Sequence, residues 1–140
     1  MTRLTRRYRF SASHRLHAAS LGESQNRELY GKCNNPHGHG HNYELEVSVR
    51  GVVDAASGLL IRVEELDRLV AAAVVRDLDH RNLNLEVAEF AWKVPTTENL
   101  AQVVASRLEA AWETTFSASG AILDRVRIRE TKNNSVELKV

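Results

Sequence analysis

Two stretches of this chain alternate apolar and polar residues at period two, and each carries histidine in the apolar phase. In the first, Tyr8, Phe10, Ala12, His14 and Leu16 share one parity, while Arg7, Arg9, Ser11, Ser13 and Arg15 share the other. The second, Asn42-Tyr43-Glu44-Leu45-Glu46-Val47-Ser48-Val49, runs back without a break into His39-Gly40-His41. His39 and His41 therefore fall in phase with Tyr43, Leu45, Val47 and Val49. Strict alternation predicts half-buried strands whose successive side chains point to opposite faces. Both strands must bury a face that includes imidazole. If they pair, His14, His39 and His41 converge from one face of one sheet.

A single inward histidine is commonly a hydrogen-bonded core residue. Three in phase point instead to a metal. Three nitrogen ligands with a fourth position open is the pattern of catalytic zinc, whereas structural zinc is closed by four protein ligands. The chain has one cysteine, which argues against a closed thiolate-rich site. His37 shares the parity of His39 and is a further candidate ligand, although it follows Pro36 and sits at the edge of the loop. His17 lies past the end of the first alternating stretch.

The composition bounds the rest. With 140 residues, 43% of them hydrophobic, residues 1–140 are expected to form one domain with its own core. No apolar run is long enough to span a membrane, and no signal-peptide segment opens the chain. The lone cysteine excludes an internal disulfide and suits a reducing cytoplasm. Nineteen basic residues against 18 acidic ones leave no nucleic-acid footprint. Arg3, Arg6, Arg7 and Arg9 make a small basic cluster, read either as a solvated strand entrance or as an attraction for an anionic substrate.

After the histidine strand, residues 54–58 read as a turn and Leu59-Leu60-Ile61 as a short extended stretch. From Val63, Leu66, Leu69, Val70, Ala73 and Val74 recur at helical spacing, predicting a helix that ends near Asp77. Pro95-Thr96-Thr97 offers a stop and an N-cap for a second helix. Glu98 suits its positive first turn, and Leu100, Val103, Val104, Leu108, Ala111 and Trp112 form its stripe. Val126, Ile128 and Glu130 then alternate with Arg127 and Arg129, and Asn133-Asn134 turns the chain into Val136, Leu138 and Val140. The simplest solution is α+β: an antiparallel four-stranded sheet with two helices on one face. Its open edges need covering, which oligomerisation would provide.

Three further residues or pairs bear on chemistry. Cys33 sits beside Lys32 in a polar loop before the histidines. An unpaired cysteine is commonly buried and inert, but a polar, cationic setting near a metal favours thiolate. Asp79-His80 follows the first helix and, in a loop, can form a carboxylate-oriented imidazole. Glu130 occupies the apolar parity of its strand, so it needs a partner: a structural ion pair, or a ligand presenting two N–H donors. There is no His-Glu-x-x-His zinc-hydrolase motif, no Pro-Cys-x-x-Cys, and no phosphate-binding glycine loop.

Taken together, Phe10-Ser-Ala-Ser-His14-Arg-Leu16, Gly31-Lys-Cys-Asn-Asn-Pro-His-Gly-His-Gly-His-Asn-Tyr43, Leu78-Asp-His-Arg-Asn-Leu-Asn84, Thr96-Thr-Glu-Asn99 and Glu130-Thr-Lys-Asn-Asn134 resemble the 6-pyruvoyltetrahydropterin synthase family over nearly the whole chain. The resemblance implies the tunnelling fold, in which three subunits close their sheets into a barrel and two trimers stack into a homohexamer. It implies Zn2+ held by His14, His39 and His41, with Cys33 as the proton-abstracting base. Asp79 and His80 would form a companion relay reaching in from a neighbouring subunit. Glu130 would anchor the pterin, with Thr96, Thr97 and Glu98 near the same pocket.

The implied reaction converts 7,8-dihydroneopterin triphosphate to 6-pyruvoyltetrahydropterin with elimination of triphosphate, a carbon–oxygen lyase step. A related branch, 6-carboxytetrahydropterin synthase of the queuosine route, takes the same substrate and also releases acetaldehyde. That branch usually has three residues between the cysteine and the first histidine of His-Gly-His. Here five separate Cys33 from His39, which favours the pyruvoyl branch. A non-catalytic zinc- or pterin-binding protein is the remaining alternative, and Cys33, Asp79, His80 and Glu130 together argue against it.

Overall fold

The alternating stretches pair as their phase demands. In a computed structural model describing residues 1–140, β1 (Thr2–His14) runs antiparallel to β2 (His39–Gly51). Their register sets Phe10 opposite Tyr43 and His14 opposite His39. The Phe10 and Tyr43 rings stack at 5.1 Å, a cross-strand pair that pins this register. Beyond them lie β3 (Arg81–Asn82), β4 (Ile122–Thr131) and β5 (Asn134–Lys139), in the spatial order β3-β1-β2-β4-β5.

The fold is α+β, but the sheet is mixed and five-stranded rather than the expected antiparallel four. The extra strand, β3, pairs parallel to β1 over only two positions. Two residues are too short for alternation to reveal. Ser11 holds the chain there: its N–H donates to Asp79 Oδ1 at 2.8 Å, and its carbonyl accepts from His80 N–H at 2.6 Å.

Several helices accompany the sheet. α1 (Glu23–Tyr30) was not foreseeable from periodicity, because its one buried residue is Asn26 and it has no apolar stripe. α2 (Val63–Val70) continues through a π-helical turn at Ala71–Val75 and closes at Arg76–Leu78, one residue past the expected end. α3 (Thr97–Phe116) begins as predicted, with Thr96 Oγ1 accepting from Asn99 N–H at 3.2 Å. Its expected stripe is buried from Leu100 to Trp112, with Ala111 half-buried. The extended stretch expected at Leu59-Leu60-Ile61 pairs with no strand. Asp54 N–H donates to the Leu59 carbonyl, and Asp54 accepts from Ser57 and Gly58, so this loop closes on itself.

One continuous core of 27 buried apolar residues joins the inward faces of β1, β2 and β4 to α2 and α3. The opposite sheet face is charged, with Arg7 and Arg127 both on Glu46 and Arg3 on Asp124. Arg6 departs from the basic cluster expected around it. It lies on the inward parity, where its guanidinium and the Tyr8 hydroxyl both donate to Asp67 of α2. No helix is long and apolar enough to cross a membrane.

The chain past His14 is held by three asparagine amides. Asn84 accepts from Arg15 N–H at 2.8 Å and donates to the Arg15 carbonyl at 2.9 Å, mimicking a strand neighbour. Asn34 donates to the Leu16 carbonyl at 2.8 Å. Asn26, fully buried, accepts from Ala18 N–H and donates to the carbonyls of Ala18, Leu21 and Gly22. Asn26→Ala strands several of these groups, each costing about 1–3 kcal/mol when left unsatisfied. The expected loss is roughly 2–4 kcal/mol in urea-unfolding free energy; a change below about 0.5 kcal/mol would show the network to be dispensable.

Candidate active site

The antiparallel register delivers the three in-phase histidines to one place. His14 ends β1, and His39 and His41 open β2 on the same face. His14 Nε2 lies 3.1 Å from His39 Nε2 and 3.2 Å from His41 Nε2. The donor atoms of all three fall within 4.8 Å of one another. Nitrogens bound tetrahedrally to one zinc at 2.0–2.1 Å would stand about 3.3 Å apart, so the spacing fits a single small cation.

The tautomer of His14 fits as well. Its Nδ1 is 2.8 Å from the Pro95 carbonyl, which can only accept, so Nδ1 carries the proton and the Nε2 lone pair faces the other two rings. Tyr43 Oη packs 3.3 Å from that same Nδ1. Burial pushes the pKa of His14 and His41 below the ordinary histidine value, with Glu130 pulling the other way. Both rings therefore stay neutral and able to ligate down past pH ~6.5. The sign for the metal-free protein follows. The unfolded chain takes up these protons first, so stability holds above ~6.5 and is lost as pH falls from there toward the depressed native values. Urea midpoints measured across pH 5–8 should decline below about 6.5 in wild type, and less so in a His41→Gln variant.

A glycine makes the entry to β2 possible. Gly38 has φ +72°, and a Cβ there would lie 2.9 Å from the His14 carbonyl oxygen. Gly38→Ala must both adopt a left-handed conformation and push on the backbone of a candidate ligand. Reduced zinc occupancy at equal protein concentration is expected, readable by atomic absorption. Occupancy equal to wild type would show that the triad tolerates the shift.

Glu130, from β4, joins the triad as its inward parity required. Its Oε1 is 3.8 Å from His41 Nε2, and its Oε2 accepts from the buried Thr97 hydroxyl at 2.6 Å. Each oxygen keeps lone-pair capacity for a further donor. Cys33 sits in a short 3-10 turn, Gly31–Asn34, tied to the chain beyond His14 by the bond from Leu16 N–H to its carbonyl at 2.8 Å. Polar loop composition predicts a depressed thiol pKa there, but the fold gives the opposite in the metal-free protein. Partial burial and then the Glu130 carboxyl push the thiol up, and Lys32 only partly opposes them.

The remaining sequence-derived residues fall elsewhere within the chain. Asp79 is occupied by Ser11 N–H. The His80 side chain is 82% exposed, with its Nε2 3.7 Å from Asp79 Oδ2 and a backbone φ of 60°. Such a positive φ in a non-glycine residue is uncommon and is held by the Ser11 bonds. Thr96 serves as the helix cap, and Glu98 is exposed on the first turn of α3. His37 is exposed in the loop and outside the triad. Residues missed at the sequence level are Pro95, which orients His14 through a carbonyl that no side-chain pattern reports, and the asparagine clamps.

The α+β fold and the inward triad define a protein with a three-histidine site, backed by a carboxylate, that fits a divalent metal. The family model for 6-pyruvoyl tetrahydropterin synthase matches residues 3–139, and the chain belongs to that family. The 6-pyruvoyl tetrahydrobiopterin synthase of Poecilia reticulata is 43% identical over 134 residues, 95% of this chain and 86% of its own. The Homo sapiens protein of the same name is 40% identical over 136 residues, 97% of this chain and 90% of its own. The solved structure of Caenorhabditis elegans 6-pyruvoyl tetrahydropterin synthase superposes with a TM-score of 0.89 at 37% identity, covering 99% of this chain and 95% of that one.

Proposed function

We propose that this protein is a zinc-dependent lyase that converts 7,8-dihydroneopterin triphosphate to 6-pyruvoyltetrahydropterin and triphosphate. The observation that carries the reading is the convergence of His14, His39 and His41 beside Glu130 on one buried face. Zinc held by the three Nε2 atoms would act as a Lewis acid toward the substrate side-chain oxygens and offset the burial that raises the Cys33 thiol.

The chain's own groups supply the rest. Glu130, fixed by Thr97, accepts two N–H donors from the pterin ring and sets its orientation. Cys33 Sγ takes a proton from the adjacent side-chain carbon, and departure of triphosphate breaks the C–O bond. The reducing equivalents come from the substrate side chain itself, so no external redox cofactor is required. His80, steered by Asp79, handles a proton on the opposite side. Its exposure within one chain suits delivery from a neighbouring subunit, in a tunnelling-fold barrel of three subunits stacked as a hexamer. Light scattering that returned only monomer would overturn that assembly. Thr96 and Glu98 flank the pocket, and a cytoplasmic location accords with the single free cysteine.

The test is product identification. Zinc-loaded protein is incubated anaerobically with 7,8-dihydroneopterin triphosphate and the products are read by mass spectrometry. A pyruvoyl pterin with triphosphate is expected. A carboxy pterin with acetaldehyde would move the protein to the 6-carboxytetrahydropterin branch despite the Cys33–His39 spacing. Unchanged substrate would return the site to metal or pterin binding alone.

A further inference from the structure

The apolar stripe of α3 has a charge in it. Leu100, Val103, Val104, Leu108 and Ala111 recur at helical spacing, and Arg107 falls in phase with them. Only 20% of its side chain is exposed, so the guanidinium needs partners within the fold. Its Nε and Nη2 donate to the two carboxylate oxygens of Glu89, in the 3-10 turn Ala88–Ala91, at 2.6 and 2.8 Å. Its Nη1 donates to Asp77 Oδ2 at 2.7 Å and to the Ala73 carbonyl at 3.3 Å. The paired bonds to Glu89 fix the plane of the guanidinium, and Arg107 holds the Glu89 carboxyl below its ordinary pKa. With the plane fixed, Nη1 is set rigidly against the end of α2.

What Nη1 touches decides its role. Ala73 lies inside the π-helical turn at Ala71–Val75, and Asp77 lies in the closing turn, Arg76–Leu78. A π turn carries one extra residue, so it rotates the chain beyond it by about 100° relative to an uninterrupted α-helix. Arg107 spans this shift, bonding one residue inside it and one beyond it. Two positions past Asp77 the chain leaves the helix at Asp79, and His80 follows at φ 60°. A left-handed histidine persists only where its surroundings over-determine it. Ser11 fixes the segment from the sheet side, through Asp79 Oδ1 and the His80 N–H. On the helix side the Asp79 N–H donates to the Val75 carbonyl at 2.8 Å, so its direction of exit is inherited from the turn that Arg107 grips. We infer that Arg107 is a positioning residue for the reaction: by clamping the π turn and Asp77 to α3, it sets the phase from which Asp79 and His80 leave the helix. The inference rests on the proposed role of His80 in proton transfer. Every contact it uses lies within one chain, so it does not depend on which faces the assembly covers.

The test is a double-mutant cycle on the zinc-loaded protein in its native assembly, with turnover of 7,8-dihydroneopterin triphosphate and amide hydrogen exchange read side by side. Arg107→Met should lower kcat about tenfold through misplacement of His80. KM and zinc content should stay as in wild type, because the triad and Glu130 are untouched. In a His80→Ala background the same substitution should cost nothing further. Equal losses in both backgrounds would make Arg107 a stabiliser of the fold alone and overturn the inference, as would an unchanged kcat. Asp77→Ala keeps the paired bonds to Glu89 and serves if Arg107→Met folds poorly; it should lower kcat about threefold with the same dependence on His80. Hydrogen exchange should quicken at residues 78–82 in either variant and stay as in wild type at residues 39–51. Exchange unchanged at 78–82 would overturn the clamp whatever the turnover. Quickened exchange confined to 78–82, in a protein whose wild type gives no pterin product, would keep the clamp and overturn the reaction, so the two failures are separable.

Discussion

Cys33→Ala is expected to hold zinc and bind dihydropterin as wild type does, yet to lose turnover by about 10²- to 10⁴-fold, the range over which a positioned acid or base contributes. The structural reason is separation of roles. Cys33 belongs to the 3-10 turn stitched to Leu16 through its backbone carbonyl, so removing Sγ leaves that bond in place. None of the triad's hydrogen bonds runs through the thiol. The thiol is partly buried and raised in the metal-free protein, so its basicity depends on the occupied centre. Zinc-stripped protein and Cys33→Ala should therefore fail for different reasons: the first recovers on adding zinc and the second does not. Turnover near wild type in Cys33→Ala, with zinc and pterin bound, would assign the proton transfer to another group.

His39→Ala is expected to abolish stoichiometric zinc, lowering affinity by more than the 10- to 100-fold typical of losing an outer partner alone. Activity would fall to background with it. His39 is the cleaner choice over His14. His14 is fully buried and bonded to Pro95, so its truncation opens a cavity as well as removing a ligand. His39 is only half-buried at the mouth of β2, and its loss should leave the unfolding free energy of the metal-free protein within about 1 kcal/mol of wild type. Zinc measured by atomic absorption at one equivalent per chain in His39→Ala would remove His39 from the ligand set. A His37→Ala variant, altered outside the triad, should keep its zinc.

How much was legible in advance divides along a physical line. Period-two alternation encodes which face a side chain takes, so the inward placement of His14, His39, His41 and Glu130 could be read directly, as could the helical stripe from Leu100 to Trp112. Short elements held by hydrogen bonds carry no such period. The strand at Arg81–Asn82, the helix around buried Asn26 and the irregular stretch at Leu59-Leu60-Ile61 were all decided by where amides and carboxylates found partners.

The sequence by itself determined that His14, His39 and His41 take the inward face, because parity is a local property of the backbone, but it left His37, in the same phase, as a further candidate. Only the tertiary structure decided that Pro95 fixes the tautomer of His14, that burial and Glu130 raise the Cys33 thiol, and that His80 turns outward on a strained backbone. Each depends on which groups from distant segments come within a few ångströms and how much water they exclude. Electrostatics and hydrogen bonding answer to that distance and dielectric, not to position along the chain.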